Sequence, residues 1–262
     1  MATESTVTAM TALPRRHLGK LLIVAGIALA LLYFSAQSPV LKALLQWSPA
    51  LAAGFAQNIL ISLVAIGLGS LLGLLVGALA LSPLRLMRLP AQIWVQVFRN
   101  APWLVLIYFT TYVFPFEIRI AGTYVAFPDW VKVTLGLALP ASANVAEIFR
   151  GAVASIPATQ WEAARSLAFT RGQIFRSIIL PQCFKRMLPP WMNLYAVITM
   201  GTALASLVGV HDVIDTAQIA SNTVNMTGFT VVIYFSLLAL FFVYCYPISR
   251  LTRRLERRYA FY

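Results

Sequence analysis

From position 58 to position 81 the chain runs without one charged side chain, in residues that are nearly all aliphatic or glycine. A helix needs about 20 such residues to cross the ~30 Å hydrocarbon core of a bilayer. Five more segments repeat the pattern: 18–38, 100–116, 132–150, 188–210 and 228–249. The fourth of the six, 132–150, is the weakest, because it is uncharged only over 133–146, contains Pro140 and needs Glu147 and Arg150 at one end. Composition agrees with a membrane protein: charged residues make up 11% of the chain, against roughly 25% in an ordinary globular domain. A transmembrane barrel would instead show alternating strands of about ten residues, and no such alternation, internal repeat or low-complexity linker is found. The expected fold is an all-α membrane protein with about six transmembrane helices in one membrane domain.

The net charge of +12 raises nucleic acid as a partner, but the placement of the charges excludes it. If the six helices alternate in direction, seventeen Lys and Arg fall on one side, and only Lys42, Arg119 and Lys132 on the other. That bias marks the first side as cytoplasmic. Both termini then lie there, with 1–17 as an N-terminal segment and 250–262 as a basic tail against anionic lipid. The stretch 15–38 also has the basic and apolar regions of a secretory signal, but it lacks small residues at a cleavage spacing, so an uncleaved helix is expected.

Cys183 and Cys245 are not placed for a disulfide, and no Cys-x-x-Cys pair exists. His211, Asp212 and Asp215 form the one cluster of metal-ligand type, but their spacing matches no specific site, so they read as solvated residues of an outer loop. No metal site is expected. With His17 and His211 as the only histidines, and no phosphate loop or nucleophile with a base, the chain is not expected to be an enzyme.

Residues 159–182 interrupt this apolar sequence with a soluble-looking segment. Thr159 with Glu162, and Thr170 with Gln173, have the spacing of two capping boxes. The reading is two short helices, about 160–169 and 171–179, with Pro157 before the first and Pro181 stopping the second. Ala163, Ala164 and Ala168 would let another surface come close. The residues alone leave two readings level: a docking element, or an amphipathic hairpin with Trp161, Phe169 and Phe175 in the membrane interface.

Here the chain resembles the permease subunits of ABC importers. Their cytoplasmic signature runs Glu-Ala-Ala, three residues, Gly, nine residues, Ile, one residue, Leu-Pro, and Glu162, Ala163, Ala164, Ile178, Leu180 and Pro181 fit it in register. Ala168 stands where the family has glycine. If that glycine is left-handed, alanine costs of order 1 kcal/mol, so the first helix is expected to run on to Thr170. The stretches 97–109, 146–164 and 201–213 are similar to those of importers of polar amino acids, although Met200 and Ala203 replace the usual Lys and Ser. The resemblance covers about 54–258, and the helix over 18–38 lies outside the usual five-helix core.

The resemblance implies a type I importer transmembrane domain over 54–249 with a coupling loop at 151–186. Two permeases, identical or homologous, would form the path. Two nucleotide-binding ATPase subunits would bind the loop, and a periplasmic amino-acid-binding protein would deliver substrate to the inner membrane of a bacterium. The chain itself would bind no cofactor, with ATP and Mg used by the partner subunits. The coupling contacts would involve Thr159, Trp161, Glu162, Ala163, Ala164, Ala168, Gly172 and Pro181.

The alternative class is an ion-coupled carrier or channel without an ATPase. Carriers place ionisable groups near the midplane, whereas here Lys132, Glu147 and Arg150 lie near span ends, and Glu147 can pair with Arg150 at i, i+3. For the substrate path the expectation rests on neutral polar residues. Pro140 frees carbonyls near Leu137 and Ala138, with Ser142 and Asn144 beside them. The fifth segment adds Thr199, Thr202 and Ser206, together with Asn193 and a close-approach Gly201. Asn144 and Thr202 are the favoured path residues. Which amino acid is carried stays open.

Overall fold

The computed structural model describes residues 38–120 and 122–259. The segment 1–17 and the helix expected over 18–38 fall outside that range, except for Ser38. Ser38 caps the next helix instead of ending the previous one: its Oγ accepts the Leu41 N–H at 3.1 Å. With Pro39 preset for the first helical position, α1 runs over Pro39–Ala80, starting well before the expected 58 and continuing through Pro49.

The expected span 100–116 is shorter than read and is preceded by a helix that the reading lacks. The amphipathic α2 (Arg85–Asn100) ends where Pro102 forces Ala101 into extended backbone, and α3 (Trp103–Val113) follows. At 11 residues, α3 is about 16 Å long and too short to cross a bilayer alone. Next comes a hairpin that the all-α expectation lacks. Its strands β1 (Glu117–Ile120) and β2 (Thr123–Ala126) are antiparallel, with Glu117 opposite Ala126. Gly122, at φ +89°, supplies a turn conformation that a side chain would resist.

After the hairpin, α4 (Asp129–Ala154) contains the expected fourth span whole, Pro140 included. It leads to α5 (Ala158–Ser166) and then a near-continuous rod: α6 (Arg171–Gln173), a wide π turn over Ile174–Ile179, α7 (Leu180–Gly201) and a 3₁₀ stretch over Thr202–Val208. Two helices close the chain, α8 (Val213–Val224), within what reads as an outer loop, and α9 (Thr227–Tyr259). Among the described residues three helical stretches are long and apolar enough to cross a membrane: Pro39–Ala80, Arg171–Val208 and Thr227–Tyr259.

The core centres on the contact of α1 with α4. Gly69, Gly73 and Gly77 form a stripe on α1 at which a Cβ would come within 2.5–2.9 Å of Ala141, Ser142 and Phe149, so the two backbones pack without intervening side chains. Around this seam Ile61, Ala65, Ile107, Val133, Leu137, Val145 and Ile198 bury one another. A second core joins α1 to α8 and α9 through Leu51, Phe55, Ala217, Phe229 and Ile233. A third lies at the α5 end, opposite the hairpin end of α4.

Candidate functional site

That third core carries the segment whose sequence reads as a coupling loop. Ala152 from the end of α4, Ile156 just beyond it, Ile174 and Ile179 from the π turn, Cys183 from α7 and Ala164 from α5 pack together, with Trp161 against them. Arg186 ties the same corner: its Nη1 donates to the Ser155 carbonyl at 2.7 Å and to Ser155 Oγ at 3.0 Å, a cation at the carbonyl end of α4. The loop is therefore fixed to two long helices at once.

Within this frame several expectations change. The first capping box is absent. Pro157, in extended backbone, occupies the N-cap of α5 and no side chain caps the helix. Thr159 is thus already inside the first turn, and the Glu162 side chain is exposed and makes no hydrogen bond or ion pair with the described residues. The second box forms: Gln173 N–H donates to Thr170 Oγ1, and Gln173 Oε1 accepts the Thr170 N–H at 2.9 Å. Helix α5 stops at Ser166 and does not run on to Thr170. Ala168 takes the left-handed conformation at φ +58°. The Ala168 N–H donates to Arg165 O at 2.9 Å and the Phe169 N–H to Ala164 O at 3.3 Å, the paired bonds of a Schellman stop. Closing those carbonyls outweighs the alanine penalty.

Pro181 does not end a helix either. It has no N–H to give the carbonyl four residues back, and the preceding turn widens so that Leu180 N–H bonds Phe175 O, five residues back. Ala164 is 2% exposed and faces inward, whereas Ala163, Ala168 and Gly172 face outward. The elbow's projecting groups are Leu167 (70% exposed) and Phe169 (41%). Both apolar side chains flank the left-handed residue at the tip, and the sequence reading gave neither a docking role.

The expected path residues spend their hydrogen bonds locally. Asn144 Nδ2 donates to Pro140 O at 2.8 Å, Thr199 Oγ1 to Tyr195 O at 2.9 Å and Ser206 Oγ to Ala203 O at 3.0 Å. Thr202 belongs to a buried junction. Asn58 Nδ2 donates to Thr202 Oγ1 at 3.1 Å and to Asp212 Oδ2 at 3.0 Å, and Asn58 Oδ1 accepts the Val213 N–H at 3.0 Å. Asp212 is fully buried and caps α8 through the Asp215 N–H at 2.9 Å, which corrects its reading as a solvated loop residue. Burial pushes its carboxyl above the usual carboxylate range, against the pull of the Asp215 backbone N–H and the Asn58 amide. Gly54 permits the approach, since a Cβ there would lie 2.8 Å from the Asp212 carbonyl. His211 stays exposed and pairs with Asp215 at 2.7 Å.

Gly201 does give a close approach, to the Trp103 ring, 2.7 Å from where its Cβ would be. The Glu147–Arg150 pair forms with two hydrogen bonds, and Arg99 joins it at 3.7 Å. Lys132 is wholly buried, bonded to Asp129 at 3.0 Å and set over the Phe116 ring at 3.8 Å. The described residues contain no group of three His, Cys, Asp or Glu side chains that could hold a metal ion.

The profile of the family described as "binding-protein-dependent transport system inner membrane component" matches residues 65–261. The probable amino-acid ABC transporter permease protein YckA of Bacillus subtilis is 29% identical over 218 residues, 82% of this chain and 91% of that protein. The octopine transport system permease protein OccM of Rhizobium radiobacter is 30% identical over 79% of this chain and 84% of its own. Among solved structures, an amino acid ABC transporter with histidines superposes at a TM-score of 0.73 with 27% identity, covering 85% of this chain and 99% of that one. The inward-facing MetNI methionine ABC transporter shares the fold at a TM-score of 0.61 and 20% identity, over 80% and 96%.

Proposed function

Because the chain belongs to the family of binding-protein-dependent transport system inner membrane components, and is the permease subunit of an amino-acid ABC importer, we propose that the elbow at 158–169 is where separate ATP-hydrolysing subunits grip it. The supporting observation is the rigid footing of two exposed apolar groups. Leu167 and Phe169 project from a tip held by its own small core and by the Arg186–Ser155 bonds. An apolar knob on a rigid base transmits force when a groove closes around it, and Trp161, Glu162 and Ala163 flank it. The alternative of a carrier that works without an ATPase finds no support in these relatives.

In this reading ATP and Mg serve the partner subunits. A second permease, identical or homologous, completes the path, and a periplasmic binding protein delivers a polar amino acid. The α5 end, the basic tail and both termini face the cytoplasm, in keeping with the charge bias. The path follows α4 and α7 past Asn144, Thr199, Thr202 and Ser206. These present neutral groups that already satisfy neighbouring carbonyls, and such groups pass a zwitterion without trapping it.

The test is reconstitution of the chain with its ATPase subunits and the binding protein of the same system. Leu167→Ala and Phe169→Ala each remove a candidate hot-spot side chain. The double variant is expected to lose at least tenfold in uptake and in substrate-stimulated ATP hydrolysis, while still reaching the membrane. Normal stimulated hydrolysis in that variant would overturn the assignment of the elbow.

A further inference from the structure

Two cavities differ in chemistry. The slot of about 490 Å³ between α1, α4 and α7 is walled by hydrocarbon, and its Ser70 hydroxyl already accepts the Trp191 indole N–H at 2.8 Å. The cavity of about 470 Å³ at the hairpin end, lined by Gln57, Asp129, Trp130, Gly209 and His211 among others, keeps its polar groups open. Asp129 bonds Lys132 through Oδ1 alone, so Oδ2 accepts nothing from the described residues. The Gln57 amide, the Trp130 indole N–H and His211 Nε2 likewise make no hydrogen bond with the described residues.

The sign of the missing partner follows from burial. Asp129 is 34% exposed while its counter-ion Lys132 is 0% exposed beneath it, so a visitor meets the carboxylate and not the ammonium. Beside it stand an indole, whose face attracts cations, and the Gln57 side-chain oxygen. A guanidinium group satisfies this set: it gives a forked pair of donors to a carboxylate and stacks on an aromatic face.

We propose that this cavity is a socket for a basic side chain, arginine above all, presented by the binding protein when it docks on the hairpin end. The inference rests on the importer reading above and adds the chemistry of its outer contact. The floor of the socket is the Gly209–His211 turn. The next residue, Asp212, is tied through Asn58 to Thr202 at the head of the rod. A side chain seated here bears on the far end of the rod whose near end packs, through Ile174 and Ile179, against the elbow.

The experiment uses the full reconstituted complex and substrate-loaded binding protein. Gln57→Trp fills the socket and is expected to raise the binding-protein concentration for half-maximal ATPase stimulation at least tenfold, with the maximal rate retained. Independently, His211→Cys carrying a benzophenone should cross-link on illumination to the binding protein, at a peptide that contains arginine or lysine. If the wild-type complex is stimulated but Gln57→Trp stays within twofold and the cross-link is missing, the socket is overturned while the importer reading stands. If no binding protein stimulates the wild type, both fall. If Gln57→Trp instead changes the response to free arginine and leaves docking unchanged, the cavity is a small-molecule site and the docking proposal fails.

Discussion

At the scale of single residues, Ala168 decides the shape of the elbow. A left-handed alanine costs roughly 1 kcal/mol relative to glycine, yet the chain accepts it because the Schellman bonds close carbonyls at the end of α5. Ala168→Gly is therefore expected to stabilise the tip by about 1 kcal/mol. Hydrogen exchange read over 164–170 should slow roughly fivefold, and unchanged exchange would mean the strain is relieved elsewhere. The Glu147–Arg150 pair was legible from its spacing, and Arg99 was not, because it arrives from another helix. Asp212 shows the same limit. In "HDVID" it looks like a loop acid, and its burial depends on Gly54 and Asn58, which lie far away in sequence.

For whole elements, the stripe of Gly69, Gly73 and Gly77 sets how closely α1 and α4 approach. Its four-residue spacing stands in the sequence and was a readable sign of a close helix crossing, but hydropathy alone passes over it. Gly73→Leu would force side-chain atoms against the Ser142 carbonyl, 2.5 Å from the Cβ position. The cost of such overpacking is typically about 1–3 kcal/mol, and more against rigid backbone. The purified variant should melt at a visibly lower temperature or fail to assemble with its partners, and a wild-type melting curve would remove the seam's importance. Hydropathy also missed α2, whose Arg85, Arg88, Gln92, Gln96 and Arg99 break the apolar run in sequence while sharing one face of the helix, beside the buried Ala91 and Val95. The hairpin was too short to register, and Pro181 was read as a stop because a π turn leaves no mark in sequence.

Across the whole molecule, the long apolar runs within α1, the Arg171–Val208 rod and α9 were readable, since they depend on composition over many residues, and the spaced signature marked out the segment that folds as the elbow. The tertiary junction at Asn58, which depends on contacts between distant segments, was not. The proposed orientation predicts opposite access at the two ends. With Cys183 and Cys245 buried, single substitutions Gln160→Cys and Thr227→Cys can be labelled with an impermeant thiol reagent. Position 227 should react in intact cells and position 160 only after lysis; the reverse pattern would invert the molecule. The rod from Arg171 to Val208 is 38 residues long, roughly 57 Å by helical rise. It starts in the core of the elbow and ends at the turn that floors the cavity at the hairpin end. A thermodynamic cycle drawn across such a rod must close. In the proposed complex, by whatever factor nucleotide on the ATPase subunits tightens or loosens the hold on the binding protein, the docked binding protein changes nucleotide affinity by that same factor. Measuring one side of the molecule therefore reports the other.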